Sequence, residues 1–325
     1  MSSERLLIGV DVGGTKVSVA TLRGSAAGEP LLRPTDRSGA EGLIAQLVSQ
    51  IDEVAAGESP AAVGIGIPSV VEFATGRAAN TTNLPLRDVP LRSLMSERLG
   101  LPVFVDNDAT VAALAEVHDE HGRLDVRSLV MITIGTGVGA GIVIDGRAYR
   151  GATGAAGEIG HTLIAIDPDI PPATSFPQPG SLEAMAAGHA LDGLARQAAA
   201  DNPDSALGRK LAADGAVAGP DAVAAAKDGD AVAIACVAKL GRRMGIGVAN
   251  AINTFDPEVV AIGGGVSSAG ELLLGPLRAA ALEYVLPGVG TATQIRIARS
   301  GAQAGVRGAA LLARSELKSQ NGEAR

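Results

Sequence analysis

Residues Leu6–Leu22 read LLIGVDVGGTKVSVATL, two apolar runs rich in Val, Ile and Leu on either side of a Gly/Thr turn. That pattern predicts the two strands of a hairpin. The same logic returns at Leu129–Asp145, LVMITIGTGVGAGIVID: apolar strand, Gly/Thr-rich turn, apolar strand. Two hairpins of one design suggest a duplicated domain with a cleft between its halves.

Between the hairpins, Leu43, Ile44, Leu47, Val48, Ile51 and Val54 stand at helical spacing and predict an amphipathic helix over 39–56. Ala62–Ile67 (AVGIGI) reads as a buried strand closed by Pro68, and Pro102–Val105 as another short strand. A helix is expected to begin near Asn107–Asp108 and to run through the 110s. Beyond the second hairpin, residues 164–180 hold five prolines (Pro168, Pro171, Pro172, Pro177 and Pro179) and read as a loop. Ala-rich helical segments follow from Leu182 to about Ala251. Val259–Ile262 is a strand that runs into Gly263-Gly264-Gly265 and a further helix. A last helix, about Gln303–Leu317, precedes a polar tail expected to fray.

The chain has 325 residues, enough for two ordinary domains, each with a buried core. Hydrophobic residues make up 46% and charged residues 19%, which places it among folded globular proteins. Aromatics are 2% and Trp is absent, so the cores must be built from Ala, Val, Leu and Ile. The 43 glycines cluster in short runs, as they do where backbone comes close to a ligand. A net charge of −8 argues against a nucleic-acid or anionic-membrane partner. The first residues show no signal-peptide pattern and no apolar stretch is long enough to span a bilayer, so a cytoplasmic location is expected. A single cysteine, Cys236, excludes an internal disulfide and any Cys-rich metal site.

Four groups of residues carry chemistry. The turns Asp11-Val12-Gly13-Gly14-Thr15-Lys16 and Gly135-Thr136-Gly137-Val138-Gly139 expose backbone N–H groups of the kind that cradle phosphate oxygens. A tight hairpin turn with no ligand would explain either one alone. Neither fits the P-loop, and Gly135, Gly137 and Ala140 fit the loose dinucleotide pattern only until a strand, not a helix, follows. Asp11 beside a phosphate would be repulsive without a cation, and it suggests Mg²⁺ held through water. In Val103-Phe104-Val105-Asp106-Asn107-Asp108 a strand runs into a helix. There Asp108 reads as a general base or as an ordinary helix cap, a role that Asn107 or Thr110 could fill instead. Glu158 and His161 of GEIGH, three residues apart, can converge on a polyhydroxylated ligand. Glu183 opens a helix after the proline-rich loop.

With these motifs in view, the chain resembles the ROK family of bacterial sugar kinases over nearly its whole length, from Ile8 to about Leu312. The motifs are DVGGTK at 11–16, GIGIPSVVE at 64–72, NLP at 83–85, DNDA at 106–109, GTGVGAGI at 135–142, GAAGEIGH at 154–161 and IGGGV at 262–266. The resemblance implies an α/β, actin/hexokinase-like (ribonuclease H-like) duplicated fold. Its domains would span 1–115, completed by a helix at about 303–318, and 116–302. It also implies a homodimer. ATP phosphates would lie on Asp11, Gly13, Gly14, Thr15 and Lys16, on Gly135, Thr136 and Gly137, and near Gly264 and Gly265. Asp108 would be the base, and Asn83, Asn107, Glu158, His161 and Glu183 would hold the sugar. The family's transcriptional repressors carry an N-terminal helix-turn-helix domain. None is expected here, because the first strand starts within ten residues.

Two departures follow. Many family members bind zinc through the GEIGH histidine and three cysteines, but the matching positions here are Thr174, Phe176 and Ser181. No zinc is expected, His161 is free for sugar contacts, and the prolines with Phe176 as an apolar anchor would hold the loop. Ser69 stands where the family often has Gly, in the loop bordering the sugar, and its side chain is expected to alter which hexose fits. The expected activity is phosphorylation of a hexose, glucose by default, by ATP and Mg²⁺. N-acetylmannosamine, N-acetylglucosamine, fructose, allose and a polyphosphate donor remain alternatives, and a non-catalytic sugar-binding regulator is the rival from another class.

Overall fold

The computed structural model describes residues 5–81, 83–165 and 172–320; Pro168, Pro171 and the tail after Gln320 lie outside them. Contacts divide the chain into two compact units. The first holds the chain up to Leu129, Gly141–Gly157 and the stretch from Arg299 on; the second holds Val130–Ala140 and Glu158–Ala298.

In the first unit the expected hairpin forms from β1 (Leu6–Val12) and β2 (Lys16–Arg23), antiparallel with Val12 opposite Val17. β2 also pairs with β3 (Ala26–Ala27) and β4 (Leu31–Pro34), while β5 (Ala62–Ile67) runs parallel to β1. After the small ladder of β6 (Val70–Glu72) and β7 (Arg77–Asn80), β8 (Val103–Asn107) adds parallel to β5. Side chains alternate across a strand, so β1 and β5 present two different faces. On one face Val10, Val12 and Ile65 join Leu43, Leu47 and Ile51 of helix α1 (Ala40–Ala55) and Met95 of α2 (Leu91–Leu99) in a buried core.

On the other face lie the glycines. A Cβ on Gly9 would come within 1.8 Å of the Val306 carbonyl, and one on Gly64 within 1.8 Å of the Ala309 carbonyl. Both carbonyls belong to the C-terminal helix, Ala304–Gln320, which also packs on α3 (Asp108–Glu116). There Gly308 meets the Val111 carbonyl, at 1.7 Å from a hypothetical Cβ. The carboxylate of Glu116, at the end of α3, accepts the N–H groups of Arg299 and Ser300 at 3.0 and 2.7 Å, which fixes the approach to this helix.

A second sheet repeats the plan. It follows the order β11-β10-β9-β12-β13, with β9 Leu129–Ile134, β10 Val138–Ile144, β11 Arg147–Ala148, β12 Val259–Gly263 and β13 Gln294–Ile297. The run β10-β9-β12-β13 mirrors β2-β1-β5-β8, as a duplicated fold requires. Its core is built from helices rich in small residues, with Ala195, Ala222, Ala233 and Ala281 all buried. Among the described residues no helix is long and apolar enough to cross a membrane.

The sequence reading missed α2, which buries only Leu91 and Met95 and so shows little periodicity. It also missed the short, half-exposed strands β4, β6, β7 and β13, which offer no alternation to read.

The glycine face gives a direct test. Gly308→Ala must displace backbone and should destabilise by about 1–3 kcal/mol, the range for overpacking. Gly193→Ala, inside the helix Gly188–Asp201 with nothing within 4 Å of its Cβ, should instead stabilise by about 0.5–1 kcal/mol. Denaturant midpoints of the two variants against the parent protein report both signs.

Candidate active site

In the first unit the DVGGTK turn links β1 to β2, and its carbonyls are all engaged. Gly13 N–H donates to Lys16 O at 2.9 Å, Thr35 Oγ1 donates to Gly13 O at 2.7 Å, and Thr35 N–H donates to Thr15 O at 3.1 Å. Arg37 Nε donates to Gly14 O at 3.0 Å. Asn83 packs against the same turn, with its Cβ 3.1 Å from where a Cβ on Gly14 would stand.

At the end of β8 the ambiguity over the cap resolves. Asn107 is the N-cap of α3: its Oδ1 accepts from the N–H groups of Ala109 and Thr110 at 2.9 and 3.1 Å. Its Nδ2 donates to the Ser69 carbonyl at 3.2 Å, which ties the corner to the loop after β5. Ser69 itself is buried, and its hydroxyl donates to Val70 O at 3.0 Å. Asp108 accepts from Ala109 N–H, at 2.8 Å through Oδ1. Burial raises its pKa above the ordinary carboxylate value, against hydrogen bonds that lower it.

Asp11 lies near enough for the two charges to interact. Its pKa rises to about 6, through burial first and the Asp108 charge second, with Lys16 opposing. Two buried carboxylates that repel one another fit a site that receives a cation. A single carboxylate acting through water suits Mg²⁺, which keeps most of its waters and binds substrate phosphates directly.

In the second unit the GTGVG turn is braced in the same manner. Gly135 N–H donates to Gly137 O at 3.0 Å, Gly188 N–H donates to Gly135 O at 2.8 Å, and His189 Nδ1 stands 3.0 Å from Thr136 O. Glu183 Oε2 accepts from Val138 N–H at 2.8 Å, so this carboxylate is brought to the turn. A Cβ on Gly137 would lie 2.4 Å from that same oxygen, and one on Gly264, at φ +82°, would lie 2.4 Å from Ile134 O. Behind the turn opens a cavity of about 610 Å³, lined by Gly135, Thr136, His189, Val223, Lys227 and Gly265 among others. Its size and mixed lining suit a nucleoside.

Glu158 and His161 come together, with Nε2 to Oε2 at 3.7 Å, while His161 Nδ1 is buried without a partner among the described residues. The residues at the family's cysteine positions do not fit zinc. Ser181 is buried with its Oγ accepting from Ala184 N–H at 3.2 Å, and Phe176 turns its ring edge-on to His161 at 5.5 Å. Phe176 is 71% exposed, which corrects the expectation of an apolar anchor. Gln178 does the holding: its Oε1 accepts from Ala173 N–H and its Nε2 donates to Ala173 O, both at 2.8 Å.

Sequence reasoning missed Thr35, Arg37, His189 and Gln178, because each acts on a turn or loop distant in sequence or through its own backbone. It also missed Arg150, whose Nε pairs with the buried Asp106 at 2.7 Å.

The raised Asp11 value carries a sign. A carboxyl at about 6 when folded and 3.8 when unfolded weakens the fold as pH rises through that window, and the cost is fully present above it. Asp11→Asn, assayed without nucleotide and with EDTA, should therefore raise the melting temperature at pH 7. The expected gain is on the order of 1–3 kcal/mol. It should vanish below about pH 4, near the unfolded value.

A model of the ROK family matches residues 7–316. The chain is 34% identical over 326 positions to a glucokinase of Halalkalibacterium halodurans, covering 98% of this chain and 97% of that one. A solved ROK family glucokinase from Streptomyces griseus, in complex with glucose and AMPPNP, is 33% identical. It covers 95% of this chain and 99% of its own, with a TM-score of 0.79. A xylose repressor of Caldicellulosiruptor bescii is 37% identical over 227 positions, which is 66% of this chain but 53% of the repressor. With its actin/hexokinase-like α/β fold and a family match over nearly its whole length, the chain belongs to the ROK family.

Proposed function

We propose that this protein is a sugar kinase that phosphorylates a hexose, glucose first, with ATP as donor. The observation that carries the reading is the division of labour at the end of β8. Asn107 caps the helix, so the Asp108 carboxylate, which accepts from Ala109 N–H, stands at the same corner without the capping role. A carboxylate with a raised pKa is a better proton acceptor than an ordinary aspartate, and general-base catalysis contributes about 10²–10⁴-fold. Asp108 would take the proton of the attacking hydroxyl. Asn83, Asn107, Glu158, His161 and Glu183 would hold the other hydroxyls, with Ser69 restricting the loop next to Asn107. The two braced turns and Lys16 would bind the phosphates. Mg²⁺ near Asp11 would neutralise charge on the transferred group.

Two points favour this over its rivals. The cavity behind Gly135 and Thr136 offers room for a nucleoside, which a polyphosphate donor would leave empty. Retention of Asp108, Lys16 and both turns is more than a sugar-binding regulator needs. Glucose as acceptor draws support from the glucokinases among its relatives.

A coupled ADP-release assay over a panel of hexoses and N-acetylhexosamines, with ATP and with polyphosphate, tests the reading. Turnover should require ATP and be greatest with glucose; no turnover on any sugar would overturn it. Asp108→Asn should lower kcat by at least about 10²-fold while sugar binding persists. The acidic limb of kcat/KM should lie above the ordinary carboxylate range, because Asp108 must be ionised to act and burial raises its pKa. Elemental analysis should find no stoichiometric zinc, and EDTA in excess Mg²⁺ should leave the rate unchanged.

A further inference from the structure

Under the corner that carries Asp108 lies an ionic cluster that joins Asp106 of the DNDA motif to residues outside every motif named above. Asp106 is 2% exposed. One of its carboxylate oxygens accepts from Arg150 Nε at 2.7 Å, and the other from the backbone N–H of Asn107 at 2.9 Å. The guanidinium carbon of Arg150 stands over the Phe73 ring, 3.5 Å from its centroid. Its far side meets Glu316 Oε1 of the C-terminal helix at 3.5 Å. Arg92 completes the group, since its Nη1 donates to Ala74 O at 3.0 Å and its guanidinium stands 5.3 Å from the Phe73 ring.

We infer that Arg150 is a positioning residue for the acceptor site, acting through Asp106 on Asn107 and Asp108 and, through the Asn107 side chain, on the loop that carries Ser69. The inference rests on the kinase reading. The connections run without a gap. Arg150 fixes the Asp106 carboxylate, and the carboxylate holds the Asn107 amide. The Asn107 side chain caps α3 and grips the Ser69 carbonyl. Nothing in the hairpin or glycine motifs demands an arginine here. A cluster whose only role was stability would also be costly, since a buried ion pair often stabilises less than an apolar substitute. What a charged fork adds is direction: planar guanidinium fixes a carboxylate edge-on and an aromatic ring face-on at once. Lysine could supply the charge but not both geometries.

Three measurements on the full-length protein test this. In steady-state kinetics Arg150→Met should lower kcat/KM for the sugar by about 10–100-fold and leave KM for ATP within about twofold, the split expected when only the acceptor side is misplaced. Arg150→Lys should recover part of the loss. In the double variant with Asp106→Asn the losses should be clearly less than multiplicative, because both changes cut one connection. It also serves if Arg150→Met alone fails to fold, since it leaves no unpaired buried charge. Amide hydrogen exchange at Ala109 and Thr110 should speed up in Arg150→Met. Equal losses for sugar and ATP, multiplicative losses in the double variant, or unchanged exchange at those amides would overturn the inference. The exchange arm needs no turnover. If the parent protein phosphorylates no sugar, the kinase reading fails while the link from Arg150 to the α3 cap is still decided.

Discussion

The first unit depends on one steric constraint, the backbone-to-backbone contact of its C-terminal helix with the glycines of β1 and β5 and, through its own Gly308, with α3. Gly9, Gly64 and Gly308 each stand where a Cβ would fall within 2 Å of a carbonyl carbon or oxygen. The helix therefore sits closer to the sheet than any side chain would permit. Gly305, one turn from Gly308, meets the Asp11 carboxyl in the same way, at 2.3 Å from a hypothetical Cβ. The helix that closes the fold thus also walls the DVGGTK turn at Asp11. Close packing of this kind transmits displacement, because interiors are nearly incompressible on this scale.

Both glycine turns are stiffened by one device. Their carbonyls are bonded backwards, to Thr35 and Arg37 in the first unit and to Gly188 and His189 in the second. A turn that is rigid before its ligand arrives costs less order on binding. The carboxylates show the opposite economy. Asp11 and Asp108 are held where burial disfavours their charge, and such strain at functional sites is kept because the chemistry needs it. In the proposed reading, stability is given up in return for a base with a raised pKa and a position for a cation.

The proline-rich loop makes a related point. Where relatives of this family use a metal, residues 173–181 are folded by a side-chain amide that bonds its own loop. One Gln takes the place of a coordination sphere in shaping the loop, although not in charge.

The amino-acid sequence by itself determined the hairpins, the main strands and the long helices, because apolar runs and helical spacing are local signals. It also determined the chemistry on offer: the Gly turns, Asp11, Asp108, and the Glu158–His161 pair are readable as types at fixed spacing. It left open whether Asp108 or Asn107 capped α3, since both carry a suitable oxygen and only the folded corner assigns them. Short edge elements such as α2 and β13 were illegible because they bury too few side chains to leave a period. Tertiary structure alone decided the braces. Thr35, His189 and Arg150 gain their roles from partners between 22 and 53 residues away, and no local pattern records such a distance.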